Sequence, residues 1–146
     1  MAVRGGCDCD QVRYVLSRER LPDMVCCHCR GCQTRLGSAF GLTAFVDPAE
    51  FEMTGSTVTL ERTMRSGNRS TLVSCSACHT IIFVTNSAAP NRILLRAGTL
   101  DDSQAMVPLA HIFVKDKQGW VSLPGGVPAF EEFPPVAAFS RIFGRP

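Results

Sequence analysis

The eight cysteines fall into three tight groups: Cys7 with Cys9, then Cys26, Cys27, Cys29 and Cys32, then Cys75 with Cys78. Thiols this close along a chain can converge on one metal ion. They rarely form disulfides with one another, because a disulfide needs particular Cα and Cβ separations. Seven of them fit a division into four and three. Four thiolates close a zinc site, whereas three leave one position where chemistry can occur. Cys75-Ser-Ala-Cys78 has the chelate spacing common in zinc sites, and Cys7-Asp-Cys9 puts two sulfurs on one side of an extended strand or knuckle. Joined on one ion, these pairs would tie the start of the chain to its middle. Spacing alone leaves the partition open. Cys29, Cys32, Cys75 and Cys78 could instead form a paired C-x-x-C ribbon. Cys26 could serve as a fourth ligand beside Cys27, Cys29 and Cys32, although neighbours in an extended segment point opposite ways.

Other residues could join such chemistry. His28 lies between two candidate ligands, and in an extended segment its ring faces away from their metal as a solvated or packed histidine. His79 follows Cys78 directly, as an exposed turn residue or a hydrogen-bond donor to a thiolate. His111 precedes an apolar run. It reads as a buried, hydrogen-bonded core histidine or as a proton donor or acceptor beside an open zinc. Trp120 is expected in the core, with pocket lining as the alternative. Cys26 is expected to be a packed thiol or an oxidisable neighbour of the site.

The elements that must position these groups are mostly strands. Period-two alternation marks Val12–Leu16 and Thr57–Arg65, with Val58, Leu60 and Met64 on one face of the latter. A turn over Ser66–Arg69 leads to a strand over Ser70–Ser74, which delivers Cys75 at its end. Ile81–Val84, Arg92–Ala97, His111–Val114 and Trp120–Leu123 complete the strand set. Helix is expected only over Arg30–Leu36, ended by Gly37, and over Val136–Phe143, with Val136, Phe139 and Phe143 on one side. The pattern predicts a mainly β fold. The 146 residues are expected to form one domain, 1–146, with a body over about 5–132 and a C-terminal tail over 133–146 after Phe133-Pro134-Pro135.

With 45% hydrophobic residues the chain can build a core, and it has no apolar run long enough to span a membrane. The first residues, from Met1 to Cys7, lack the apolar centre of a signal peptide, so a cytoplasmic setting with reduced thiols is expected. Seven thiolates and two zinc ions would turn the formal charge of +2 into −1. The basic residues are scattered, so nucleic acid is not an expected partner.

The chain resembles the glutathione-dependent formaldehyde-activating enzyme family, which shares its fold with the centromere protein V domain. The resemblance rests on Gly6-Cys7-Asp8-Cys9 with Val12-Arg13-Tyr14, on Cys27-His28-Cys29-Arg30-Gly31-Cys32, on Gly37-Ser38-Ala39-Phe40 and on Cys75-Ser76-Ala77-Cys78. His111-Ile112-Phe113-Val114, Trp120-Val121 and Gly126-Val127-Pro128-Ala129-Phe130 extend it, so that it runs from about Gly5 to Glu132. It implies an Mss4-like (β-tent) zinc domain. It assigns Cys7, Cys9, Cys75 and Cys78 to a structural zinc and Cys27, Cys29 and Cys32 to a catalytic zinc, two ions per chain.

The family usually has Gly after each of the C-x-C and C-x-x-C pairs, where this chain has Asp10 and His79. The implied function is a zinc-dependent carbon–sulfur lyase that makes and cleaves S-hydroxymethylglutathione from formaldehyde and glutathione, with a thiol and an aldehyde as small-molecule partners. His111 is a further catalytic candidate. Because glutathione carries two carboxylates, a cationic side chain is expected at the site, Arg30 and Arg35 being nearest in sequence. The alternatives are a lyase for another thiol adduct and a non-catalytic, zinc-stabilised binding module.

Overall fold

A computed structural model describes residues 2–64 and 66–144. The described residues form ten strands and two α-helices, joined by short 3-10 turns. The mainly β architecture expected from the alternation is therefore present. They fall into two compact units.

The first unit comprises the residues up to Pro22 together with Ala44–Met106. Its smaller sheet holds β1 (Val3–Gly6), β2 (Arg13–Leu16) and, further along the chain, β5 (Phe51–Thr54). These are antiparallel in the order β1-β2-β5, with Gly5 opposite Tyr14 and Tyr14 opposite Met53. Gly5 is required by this pairing, because a Cβ there would lie 2.2 Å from the Tyr14 hydroxyl. Tyr14 is fully buried, stacks on Phe51 at 5.4 Å and exchanges a 2.8 Å hydrogen bond with the Thr99 hydroxyl.

In the larger sheet of this unit, the end of β4 (Gly41–Val46) lies beside β9 (Ala89–Arg96). Next come β8 (Ile81–Asn86), β7 (Arg69–Cys75) and, at the edge, β6 (Thr57–Thr63). Leu72, Val84, Ile93 and Leu95 alternate inward from β7, β8 and β9. The predicted turn after β6 forms, with the Gly67 amide bonded to the Met64 carbonyl at 2.9 Å. Arg65, the predicted end of β6, lies outside the described residues.

Val58 and Leu60 share a face as predicted but are 44% and 63% exposed. Alternation reports which residues share a face, and an edge strand need not have that face covered.

The second unit comprises Asp23–Thr43 and the residues from Val107 on. Here β3 (Met24–Cys27) pairs in parallel with β10 (Ala110–Ile112), Cys26 opposite His111 and Cys27 opposite Ile112. Helix α1 (Arg30–Leu36) follows β3 and stops at Gly37, whose φ of 58° is left-handed, as the sequence predicted. Helix α2 (Val136–Phe143) is present at its predicted bounds. Phe139 stacks on Phe133 and packs at a tilt against Phe143, whereas Val136 is 75% exposed.

Trp120–Leu123 is not a strand, and Trp120 is 74% exposed instead of lying in the core. Gly119, Pro124 and two further glycines surround it, a composition that favours turns over a paired ladder. Among the described residues no helix is long and apolar enough to cross a membrane.

Candidate metal centres

In the first unit, two knuckles bring Cys7, Cys9, Cys75 and Cys78 together, every sulfur within 4.8 Å of the others. The knuckles follow one plan. The Cys7 amide bonds the Val12 carbonyl at 3.0 Å, and the Cys75 amide bonds the Thr80 carbonyl at 3.0 Å. In each, the residue after the second cysteine takes a left-handed backbone, φ 60° at Asp10 and 59° at His79. These are the positions where the resemblance expects glycine. Aspartate and histidine are among the side chains that enter this region more readily than most. A β-bulge between Val73 and Ser74, where β7 meets β8, re-aims the end of the strand just before Cys75.

The sulfur spacing fits a metal. Four Zn–S bonds of ~2.3 Å in a tetrahedron hold their sulfurs about 3.8 Å apart. Cys7 and Cys9 lie 3.5 Å apart, and Cys9 and Cys75 lie 3.7 Å apart. Hydrogen bonds reach the sulfurs from the Val12 amide to Cys7 at 3.2 Å and from the Ala77 amide to Cys75 at 3.4 Å. The Thr80 hydroxyl lies 3.1 Å from the Cys78 sulfur. That contact leads the causes that lower the Cys78 thiol to about 5. Thr80 was not singled out from the sequence, because a threonine two residues past a knuckle carries no signal of its own. His79 is exposed.

In the second unit, Cys27, Cys29 and Cys32 form a three-sulfur cluster. Each is placed by a different local feature. Cys27 ends β3 and is buried; Cys29 is the N-cap of α1; Cys32 lies in the first turn of that helix. The Cys29 sulfur accepts the Cys32 amide at 3.3 Å, as a capping side chain does. Gly41 closes one side, since a Cβ there would sit 2.9 Å from Leu36 Cδ1 and 3.6 Å from the Cys32 sulfur. Cys29 and Cys32 are only half-buried, so part of the cluster is reached by solvent.

Protons are unequally shared among the three. Hydrogen bonds from Cys27 and then Cys32 push the Cys29 thiol down to about 2. The same bonds to Cys29 and Cys32, followed by burial, push Cys27 far up. Three thiolates together require a cation, and an all-sulfur donor set in this arrangement fits zinc.

His111 lies apart from that cluster. Through the β3–β10 register it shares a strand face with Cys26, while Cys27 points to the other side. Its Nδ1 is 3.0 Å from His28 Nε2, and the Cys26 sulfur lies 3.5 Å from the same His28 nitrogen. His28 is fully buried, so it is packed, not solvated. Its Nδ1 has no hydrogen-bond partner, and burial, then the charges of His111 and Lys117, hold its pKa down. Burial also lowers His111. Cys26, His28 and His111 form a third group whose ligand atoms could hold a metal ion. The direct bond between the two rings already satisfies both facing nitrogens without one.

Sequence reasoning missed Gln33. It is 4% exposed and uses its whole amide: Nε2 donates to the His28 and Asp116 carbonyls, each at 2.8 Å. Its Oε1 accepts from Arg30 at 2.7 Å and from Gln118 at 3.2 Å. Gln33 thereby pins the backbone between Cys27 and Cys29.

The mainly β chain thus carries one four-sulfur and one three-sulfur cluster, each of which could hold a metal ion. The model of the glutathione-dependent formaldehyde-activating enzyme family matches residues 2–116, and the chain belongs to that family. The family is one of enzymes that activate formaldehyde with glutathione. A crystal structure of a Rhodobacter sphaeroides protein is similar in fold, with a TM-score of 0.53 and 16% identity, over 72% of this chain and 97% of that one. No curated protein matches the chain in sequence.

Proposed function

We propose that the protein is a carbon–sulfur lyase that forms and cleaves S-hydroxymethylglutathione. The observation that carries this reading is the convergence of Cys27, Cys29 and Cys32 in a half-open cluster while four other cysteines form their own. Cys7, Cys9, Cys75 and Cys78 would hold a structural zinc, and Cys27, Cys29 and Cys32 a catalytic one. A zinc ion held by three thiolates supplies a position at which an incoming thiol ionises near neutral pH.

The chain's own residues do the rest. Cys27 anchors the cluster in the sheet, Cys29 and Cys32 present its open side, and Gln33 fixes the loop that carries them. The glutathione sulfur adds to the formaldehyde carbon. One carbon–sulfur bond forms, the carbonyl π pair moves to oxygen, and that oxygen takes a proton from water. Cleavage is the reverse. His111 serves this reading as the hydrogen-bond partner of His28, positioning the segment between Cys27 and Cys29. Free thiols at all eight cysteines suit a reducing compartment such as the cytoplasm.

Exchange NMR at equilibrium, with the uncatalysed exchange subtracted, tests the proposal. The zinc-loaded protein is expected to speed exchange between glutathione and S-hydroxymethylglutathione, and Cys29→Ser to abolish the excess. Wild-type protein that adds nothing to the background would reject this reaction. A zinc that still responds to other thiols would then point to a different adduct, and one that responds to none to a binding module.

A further inference from the structure

The hydrogen bonds around Gln33 lead outward as well as inward. Its Oε1 accepts from both Arg30 Nη1 and Gln118 Nε2, and the Gln118 Oε1 in turn accepts from Trp120 Nε1 at 2.7 Å. Every polar atom of both glutamine side chains is thus oriented by the network. The outer ends of the network are an exposed guanidinium and an indole that is 74% exposed. An indole fixed by its N–H presents its ring face to solvent at little cost in entropy. Arg30 makes no ion pair with an acidic residue among the described residues. Its fork keeps donors for a planar anion.

The network is tied to the three-sulfur cluster by the chain itself. Arg30 follows Cys29, Gln33 follows Cys32, and the Gln33 amide holds the carbonyl of His28, the residue between Cys27 and Cys29. A ligand whose sulfur enters that cluster and whose other end bears a carboxylate meets a preset guanidinium and an aromatic face nearby. This describes a cysteine-containing peptide with free carboxylates. We propose that Arg30 and Trp120, held by Gln33 and Gln118, form the subsite for the carboxylate-bearing end of the peptide thiol, Arg30 pairing with the carboxylate and Trp120 packing on the peptide plane. The subsite rests on the thiol-substrate reading above and names the residues that would select glutathione over a small thiol.

Trp120 is the chain's one tryptophan, so it reports on its own site. Zinc-loaded protein is titrated with S-methylglutathione, which keeps the carboxylates but has no free thiol, and with its diethyl ester, while Trp120 fluorescence is followed. S-methylglutathione is expected to give a saturable change. The ester, or Arg30→Gln with the acid, is expected to weaken binding about 10- to 100-fold, as loss of a charge-assisted hydrogen bond does. Arg30→Lys should fall between.

In the exchange assay, Arg30→Gln and Trp120→Ala should raise KM for glutathione by a similar factor with kcat little changed. No saturable fluorescence change, or equal affinity in wild type and Arg30→Gln, would overturn the subsite. Exchange with unchanged KM in both variants would overturn it too while leaving the lyase reading standing. Arg30-dependent binding without exchange would leave the subsite and remove the reaction.

Discussion

The two sulfur clusters obtain their ligands in opposite ways. The four-sulfur cluster draws two cysteines from a knuckle near the start of the chain and two from a knuckle at the end of β7, more than sixty residues later. The three-sulfur cluster draws all its ligands from six consecutive residues, a strand end and a helix cap. A clip across a long loop removes much of the freedom of the open chain, whereas a local chelate removes little. Burial does not separate them: Cys7 and Cys75 are buried but Cys9 is exposed and Cys78 half-buried, while Cys27 is buried and Cys29 and Cys32 are half-buried. The contrast teaches that the first cluster cross-links distant parts of its unit, whereas the second is a local chelate.

Removing one ligand from each cluster breaks the comparison most directly. Structural zinc contributes about 10–16 kcal/mol in small zinc-dependent peptides, comparable to the whole stability of a domain. Cys75→Ser is therefore expected to lose cooperative thermal unfolding, followed by circular dichroism. Cys29→Ser should melt within a few degrees of wild type and show no excess exchange. Equal unfolding of the two variants would make the second cluster structural as well.

Metal release sharpens the same point. Elemental analysis after zinc supplementation should approach two ions per chain. Under a chelator one ion should leave well before the other, and Cys29→Ser should remove the fast phase. A single release phase for both ions would contradict the distinction between a four-sulfur and a three-sulfur cluster.

The histidine pair beside the three-sulfur segment offers a smaller effect. His111→Ala leaves the facing nitrogen of buried His28 unbonded, so a loss of about 1–3 kcal/mol is expected in urea unfolding. Both folded-state histidines have pKa values below the ordinary 6.5. The unfolded chain therefore binds more protons as the pH drops through 6.5, and the contribution of the neutral pair, complete above 6.5, is lost toward their lower folded-state values. His111→Gln should show a shallower decline in stability over that window than wild type. Parallel profiles would mean that the histidine pair carries none of it.

The smallest effect lies at the two knuckles. His79→Gly relieves a left-handed side chain that makes no side-chain hydrogen bond among the described residues, and a gain of roughly 0.5 kcal/mol is expected. Asp10→Gly should be close to neutral, because exposed Asp10 also accepts a 3.3 Å hydrogen bond from half-buried Arg13. Thermal shifts of the two variants check the order. Destabilisation by His79→Gly would show that its side chain supports the cluster.

Much of the chain was legible because the relevant forces are local. Cys75-Ser-Ala-Cys78 and Cys27-His28-Cys29 bring sulfurs together within a few bonds, so residue type and spacing determine that they can share an ion. Alternation marked β2 and β6, the turn after β6 marked the returning β7, an apolar run marked β8, and the stop at Gly37 marked α1. Tertiary structure decided what depends on distant neighbours. It separated the cysteines into four and three, because only the fold of the first unit brings Cys7 and Cys9 to Cys75 and Cys78. It set His111 beside Cys26 and His28 through the register of β10 on β3, which no local pattern specifies. It left Val58, Leu60 and Trp120 exposed although they are apolar, because an apolar side chain is buried only where another element covers it. It made Gln33 a hub, because four partners from two segments, 28–30 and 116–118, meet one buried amide.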